Sequence, residues 1–179
     1  MSRNTLHIAS GLALAWLVSI SNLQAATFSF EANLDGLQVV PPNTSPAFGL
    51  ADGTYDDTTG NFTLSLGTYQ DLLGGATFVT LSDAAAGANG PNISVLTLDT
   101  PAATTGTFSG GTALTAGQWA DMQAGNTYIR IASQVFPTGE IRGQLFQTPE
   151  PSSVALMGLG ALGLLAAVRS RRKRTTLPT

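Results

Sequence analysis

The chain has 179 residues, no cysteine, one histidine and a formal net charge of −3. Six of the eight cations are terminal (Arg3, Arg169, Arg171, Arg172, Lys173 and Arg174), so residues 26–148 set ten carboxylates against Arg130 and Arg142 alone, a net −8. A surface of that sign repels phosphate backbones and excludes a nucleic-acid partner; with no His, Lys or Cys in the same stretch, the usual general bases, thiol nucleophiles and soft-metal ligands are missing too.

Residues 1–25 read as a signal peptide. Arg3 supplies the positive start, Ile8 to Ile20 is an apolar run, and Leu23-Gln24-Ala25 offers small-residue cleavage between Ala25 and Ala26. His7, the one histidine, lies inside this leader.

Residues 26–148 are expected to form one domain, close to the commonest domain size. Phe28, Phe30, Ala32 and Leu34 alternate with Glu31 and Asn33; Phe62, Leu64 and Leu66 alternate with Thr63 and Ser65. Thr127, Ile129 and Ile131 oppose Tyr128, Arg130 and Ala132, and Ile141 and Leu145 oppose Glu140, Arg142 and Gln144. Period-two patterning marks half-buried antiparallel strands. Strands are predicted at 27–34, 47–55, 61–69, 76–82, 92–98, 104–109, 126–133 and 139–147, separated by turns at Asp56–Asn61, Ala88–Pro91 and Pro137–Gly139. One short helix is predicted from Thr115, its N-cap, to Gln123, with Gly125 beyond its end. The expected fold is all-β, an antiparallel β-sandwich or barrel of seven to eight strands (an immunoglobulin-like or superoxide-dismutase-like Greek key), flanked by the signal helix and a C-terminal transmembrane helix. Without cysteine, its apolar core must hold it unaided.

The other end, residues 149–174, is tripartite. Pro149-Glu150-Pro151 precedes an apolar stretch from Val154 to Val168, then Arg169, Arg171, Arg172, Lys173 and Arg174. Ser152 to Val168 would make roughly 25 Å of helix, short against a hydrocarbon core of about 30 Å. Gly158, Gly160 and Gly163 weaken it further, which suits a transient anchor, and the basic cluster would stay cytoplasmic. This arrangement resembles the PEP-CTERM sorting signal of Gram-negative bacteria. The resemblance implies export across the inner membrane by the secretion machinery, transient insertion of the C-terminal helix, exosortase processing, and delivery to the cell surface or an exopolysaccharide matrix.

The string Gly139-Glu140-Ile141-Arg142-Gly143-Gln144, preceded by Gly125-x-x-Tyr128, strongly resembles the end of the CHRD domain, the module repeated in chordin and widespread in microbial secreted proteins. Leu34-x-Gly36-x-Gln38-x-Val40-Pro41-Pro42 is similar to its beginning, with Val39 where relatives usually carry Glu. Relatives commonly carry His-x-His in a middle strand and a third His later. Here Thr80, Ser82 and Ala132 fall at those positions, and none of them can hold a transition metal.

Glu140 and Arg142 lie two apart on one strand face, so Glu140 reads either as an acid/base or as half of a same-face ion pair or hydrogen-bonding device fixing the last hairpin. Arg130 could pair with a carboxylate across the hairpin. Asp52, Asp56 and Asp57 are the calcium candidates, against the plainer reading that Asp in turns bonds its own backbone; no cofactor is expected. Trp119 could stack on a sugar or simply pack as a core aromatic. Three sequons, at Asn43, Asn61 and Asn92, add little to a bacterial reading. The expectation is therefore a non-enzymatic surface or matrix module with a polysaccharide or protein ligand; the alternative is a metal-dependent or glycoside-cleaving extracellular enzyme, the latter needing only two carboxylates at a set separation.

Overall fold

The computed structural model describes residues 26–148, 160 and 162–164. The signal-peptide reading to Ala25, the Pro149-Glu150-Pro151 motif and the basic cluster lie outside the described residues, as does all of the predicted membrane helix except residues 160 and 162–164, which are helical. Among the described residues no helix is long and apolar enough to cross a membrane.

Strands β1 (Thr27–Asp35), β2 (Phe48–Asp56), β3 (Asn61–Gln70), β4 (Ala76–Asp83), β5 (Asn92–Leu98), β6 (Gly106–Ala113), β7 (Thr127–Ser133), β8 (Ile141–Gln144) and β9 (Phe146–Gln147) follow one another, with helix α1 (Ala116–Gln123) between β6 and β7. The hydrogen-bonded order β2-β3-β6-β5-β4-β7-β8-β1 closes on itself because β1 also pairs with β2. The choice between sandwich and barrel thus resolves to an eight-stranded antiparallel barrel with β9 as an extra strand. The order β7-β4-β5-β6 is a Greek key, since β4 to β6 run as a meander and β7 returns beside β4.

Alternation builds the core as expected along β1, where Phe30, Ala32 and Leu34 are buried with Phe62, Leu64, Tyr69, Phe108, Ile129, Ile131, Ile141 and Leu145. Leu66 departs from its expected inward position and stands about half exposed. The β3–β6 register shifts between Leu64 and Gly67, and the extra residue turns Leu66 outward while Gly67 faces the Phe108 ring. Strand β6 runs to Ala113 rather than ending at 109. Gly110 and Gly111 weaken that reading from sequence, but Gly111 is required there, because a Cβ would sit 2.5 Å from the Phe62 carbonyl oxygen. The predicted 139–147 strand is interrupted, β8 and β9 being separated at Leu145.

Helix α1 begins as predicted. The Thr115 hydroxyl accepts from the Gln118 amide and the Gln118 side chain accepts from the Thr115 amide, a complete capping box. Its Trp119 packs on Phe28 and Phe30 and stacks on Tyr55 at 3.8 Å and 11°. Of the two readings of Trp119, the structure supports the core aromatic.

Candidate functional site

The two sequence motifs meet on one flank of the barrel. The β1–β2 loop (residues 36–47) rises from one end and the β4–β5 loop (residues 84–91) descends from the other, and Asn89 Nδ2 donates to the Val40 carbonyl to join them. Beneath lie β7 and β8, whose residues were expected to be half-buried. They are instead buried on both faces, because the loops cover the outer one: Tyr128, Ala132, Arg142 and Gln144 are all buried.

Arg142 is about 1 % exposed. Its guanidinium lies 3.6 Å from the centre of the Tyr128 ring, and it donates to the carbonyls of Ala88 at 2.6 Å and Ala85 at 3.1 Å and to Gln144 Oε1 at 3.0 Å. Gln144 in turn donates through Nε2 to the Ala84 and Gly125 carbonyls. Burial lowers the Arg142 pKa from its ordinary value, Tyr128 works against that, and neighbouring Arg130 adds to it; the group remains a cation at any physiological pH.

Gln38 completes the flank. Its Nε2 donates to the Asn33 carbonyl and to Asp35 Oδ2, and its Oε1 accepts from the Gln144 amide at 3.2 Å. Strands β1 and β8 share a single residue pair, Asp35 with Arg142, so the Gln38 amide stands in for missing ladder bonds. Gly143 lets the two backbones approach: a Cβ there would lie 2.6 Å from the Asn33 carbonyl oxygen. Gln38 belongs to the opening motif, yet the sequence assigns it no role; only its position against β8 reveals one.

Glu140 turns away from Arg142. Its Oε1 accepts from Ser45 Oγ at 2.6 Å and from the Leu73 amide at 2.7 Å, tying two loops at the opposite end. The expected Glu140–Arg142 ion pair is therefore not formed, and of the readings given to Glu140 the hydrogen-bonding device is the one observed. Its backbone departs from a plain strand. Gly139 has φ +138°, and the Glu140 amide donates to the Ile131 carbonyl although Ile131 is registered with Ile141, so β8 starts with a bulge that swings the carboxylate toward Ser45 and Leu73. Glu140 is fully buried, and its Oε2 has no partner among the described residues. Arg130 bonds Asn92 Oδ1 at 3.4 Å rather than a carboxylate across the hairpin.

Pro42 lines a groove of about 190 Å³ with Leu37, Val39, Val40, Ala86 and Gly87, floored by Arg142 and Gln144. Small-molecule sites usually run to roughly 300–1,000 Å³, so this cleft admits a side chain or a sugar substituent rather than a whole substrate. Pro41 follows a cis peptide bond from Val40.

Thr80 and Ser82 are buried on the same outer face, opposite Arg130 and Tyr128, and Ala132 follows on β7. The structure thus brings the three positions that carry His in relatives onto neighbouring strands, with Ser82 Oγ bonded to Asn92 Oδ1. The calcium candidates are not assembled. Asp52 lies four residues along β2 from Asp56, about 13 Å at strand rise. Asp56 accepts from the Thr58 amide, which holds its carboxyl below the usual value, and Asp57 accepts from the Ala26 amide. Among the described residues no three acidic or imidazole groups gather in a way that could hold a metal.

A family model described as CHRD domain matches residues 30–145, and one described as PEP-CTERM protein-sorting motif matches residues 147–173. No curated protein and no solved structure matches the chain significantly.

Proposed function

The chain belongs to the CHRD domain family and carries a PEP-CTERM sorting motif, which implies export to the envelope of a Gram-negative bacterium and exosortase-mediated sorting; from that premise we propose that residues 26–148 form a non-enzymatic binding module of a surface or extracellular-matrix protein. The leader is removed before Ala26, the C-terminal helix inserts only until the exosortase acts, and the barrel is left outside the cell as a ligand-binding unit for polysaccharide or protein.

One observation carries this reading. The polar residues of the family strings are consumed internally: Arg142 and Gln144 hold the carbonyls of residues 84, 85, 88 and 125, and Glu140 ties Ser45 to Leu73. Groups buried and bonded in this way fix loop positions, which is what a binding module requires of its frame; Arg142 and Gln144 meet the groove only as its floor, with their donors already spent on those carbonyls.

The test is made on protein recovered from the producing cell. Intact mass is expected to show loss of the residues beyond the Pro149-Glu150-Pro151 motif, and the recovered domain is expected to co-sediment with the cell's own exopolysaccharide or with a surface protein. Retention of residues 154–174, or copper or zinc bound at unit stoichiometry with turnover of a substrate, would overturn it.

A further inference from the structure

Ala26 opens the barrel and, among the described residues, hydrogen-bonds one side chain. Its main-chain nitrogen donates to Asp57 Oδ1 at 3.0 Å, and the Asp57 amide donates back to the Ala26 carbonyl at 3.2 Å. Immediately beyond, Thr27 is registered with Asp56 and β1 begins. The turn that receives Ala26, Asp56–Asn61, holds two carboxylates and no cation, and the two cations of residues 26–148 lie on β7 and β8. Asp56 spends its Oδ1 on Thr58 within the turn, whereas Asp57 Oδ1 faces the start of the chain. The exit toward the sorting motif is on the same strand, since the Thr148 amide donates to the Ser29 carbonyl.

We propose that Asp57 is the receptor for a new N-terminus: hydrolysis of the Ala25–Ala26 bond converts the Ala26 amide nitrogen into an ammonium, and the Asp57 carboxylate captures it as an ion pair that completes this end of the barrel. Water supplies hydroxyl to the Ala25 carbonyl and hydrogen to the Ala26 nitrogen, which takes up a further proton at neutral pH. An amide already positioned at hydrogen-bond distance becomes a charge-assisted donor without moving, and such bonds are roughly twice as strong as neutral ones. Capture of an N-terminal amine is a recurring recognition mode. The inference rests on the leader-removal reading above, and the experiment separates the two.

Full-length protein is expressed with its own leader and recovered after export. N-terminal sequencing is expected to begin at Ala26. Because Lys173 is the one lysine of the chain, the α-amine is the only primary amine of the trimmed product, so an amine-selective acylating reagent reports on it directly. At neutral pH the Asp57→Asn protein is expected to be acylated several-fold faster than wild type, up to about tenfold for each unit by which pairing raises the amine. Complete α-acetylation is expected to lower the urea midpoint of wild type and to leave that of Asp57→Asn unchanged. A chain beginning elsewhere overturns the leader reading and the capture together. A chain beginning at Ala26 whose acylation rate and acetylation response match those of Asp57→Asn overturns the capture alone.

Discussion

Arg130 and Arg142, the two cations of residues 26–148, stand directly opposite each other across the β7–β8 ladder. Like charges in that position repel, and ten carboxylates elsewhere in the module do nothing to separate them. The two are not equivalent. Arg142 is held over the Tyr128 ring and by carbonyls of the β4–β5 loop, whereas Arg130 has one long bond to Asn92 and a buried Nε with no acceptor among the described residues.

Opposite signs are therefore expected from the same substitution at the two sites. Arg142→Met leaves the Ala88 carbonyl and Gln144 Oε1 without their donor, and the Ala85 carbonyl with the Ala88 amide alone; it should cost about 2–4 kcal/mol, a few hydrogen bonds' worth of unsatisfied groups. Arg130→Met keeps the stem that packs over Gly139, removes the repulsion, and should be neutral or stabilising by up to about 1 kcal/mol. Urea unfolding of both variants checks this, and equal losses would show that the repulsion is immaterial.

Barrel closure depends on a missing side chain. At Gly143 a Cβ would meet the Asn33 carbonyl oxygen at 2.6 Å and Leu34 Cγ at 2.9 Å, and β1 has only one paired residue on β8 with which to absorb the strain. Gly143→Ala is expected to cost about 1–3 kcal/mol, as overpacking does. Amide exchange should rise first in β1 and β8 and least in β5 and β6, which lie farthest around the ring from that seam. Uniform exchange across the barrel would refute the assignment.

Strand number and placement were legible because alternation along β1, β3 and β7 follows directly from one face being apolar, and Thr115 as N-cap with Gly125 beyond the end announced the helix. Leu66 misled because a bulge changes facing without changing composition. The flank was illegible for a different reason. Arg142 and Gln144 choose main-chain carbonyls of residues 84, 85, 88 and 125 as acceptors, and a carbonyl carries no residue identity, so no spacing in the sequence could pair Arg142 with a loop more than fifty residues away. Two residues apart on one strand, Glu140 and Arg142 invited an ion pair; the positive φ of Gly139 and the bulge that follows send Glu140 to Ser45 and Leu73 instead.

Trp119 is expected to act through packing. It loses contact with Phe28, Phe30 and Tyr55 on truncation, but it is only partly buried, so Trp119→Ala should cost about 2–3 kcal/mol, below the roughly 3–5 of a fully buried aromatic. The urea midpoint should fall while retention on exopolysaccharide by the remaining folded protein is unchanged. Lost retention at an unchanged midpoint would restore the sugar-stacking role.

Asp83, at the end of β4, lies against Asp121 of α1. Burial and then the Asp121 charge hold its carboxyl above the ordinary value of 3.8. Between the unfolded pKa and that raised folded value the native state binds more protons than the unfolded chain, so stability falls as pH rises through the window. The contribution is fully present below the unfolded pKa and gone at neutral pH, where the Asp83 carboxylate is repelled by the Asp121 charge. Asp121→Asn removes the repulsion and should stabilise by roughly 0.2–1 kcal/mol at neutral pH, the scale of an exposed charge pair. The gain over wild type should shrink as the pH is lowered through the window and vanish once Asp83 is protonated in both folded and unfolded chains. Urea midpoints of the two proteins, measured as a difference at each pH so that the other carboxylates cancel, read this directly. A difference that does not change with pH would mean that the variant acts through the helix rather than through the Asp83 proton.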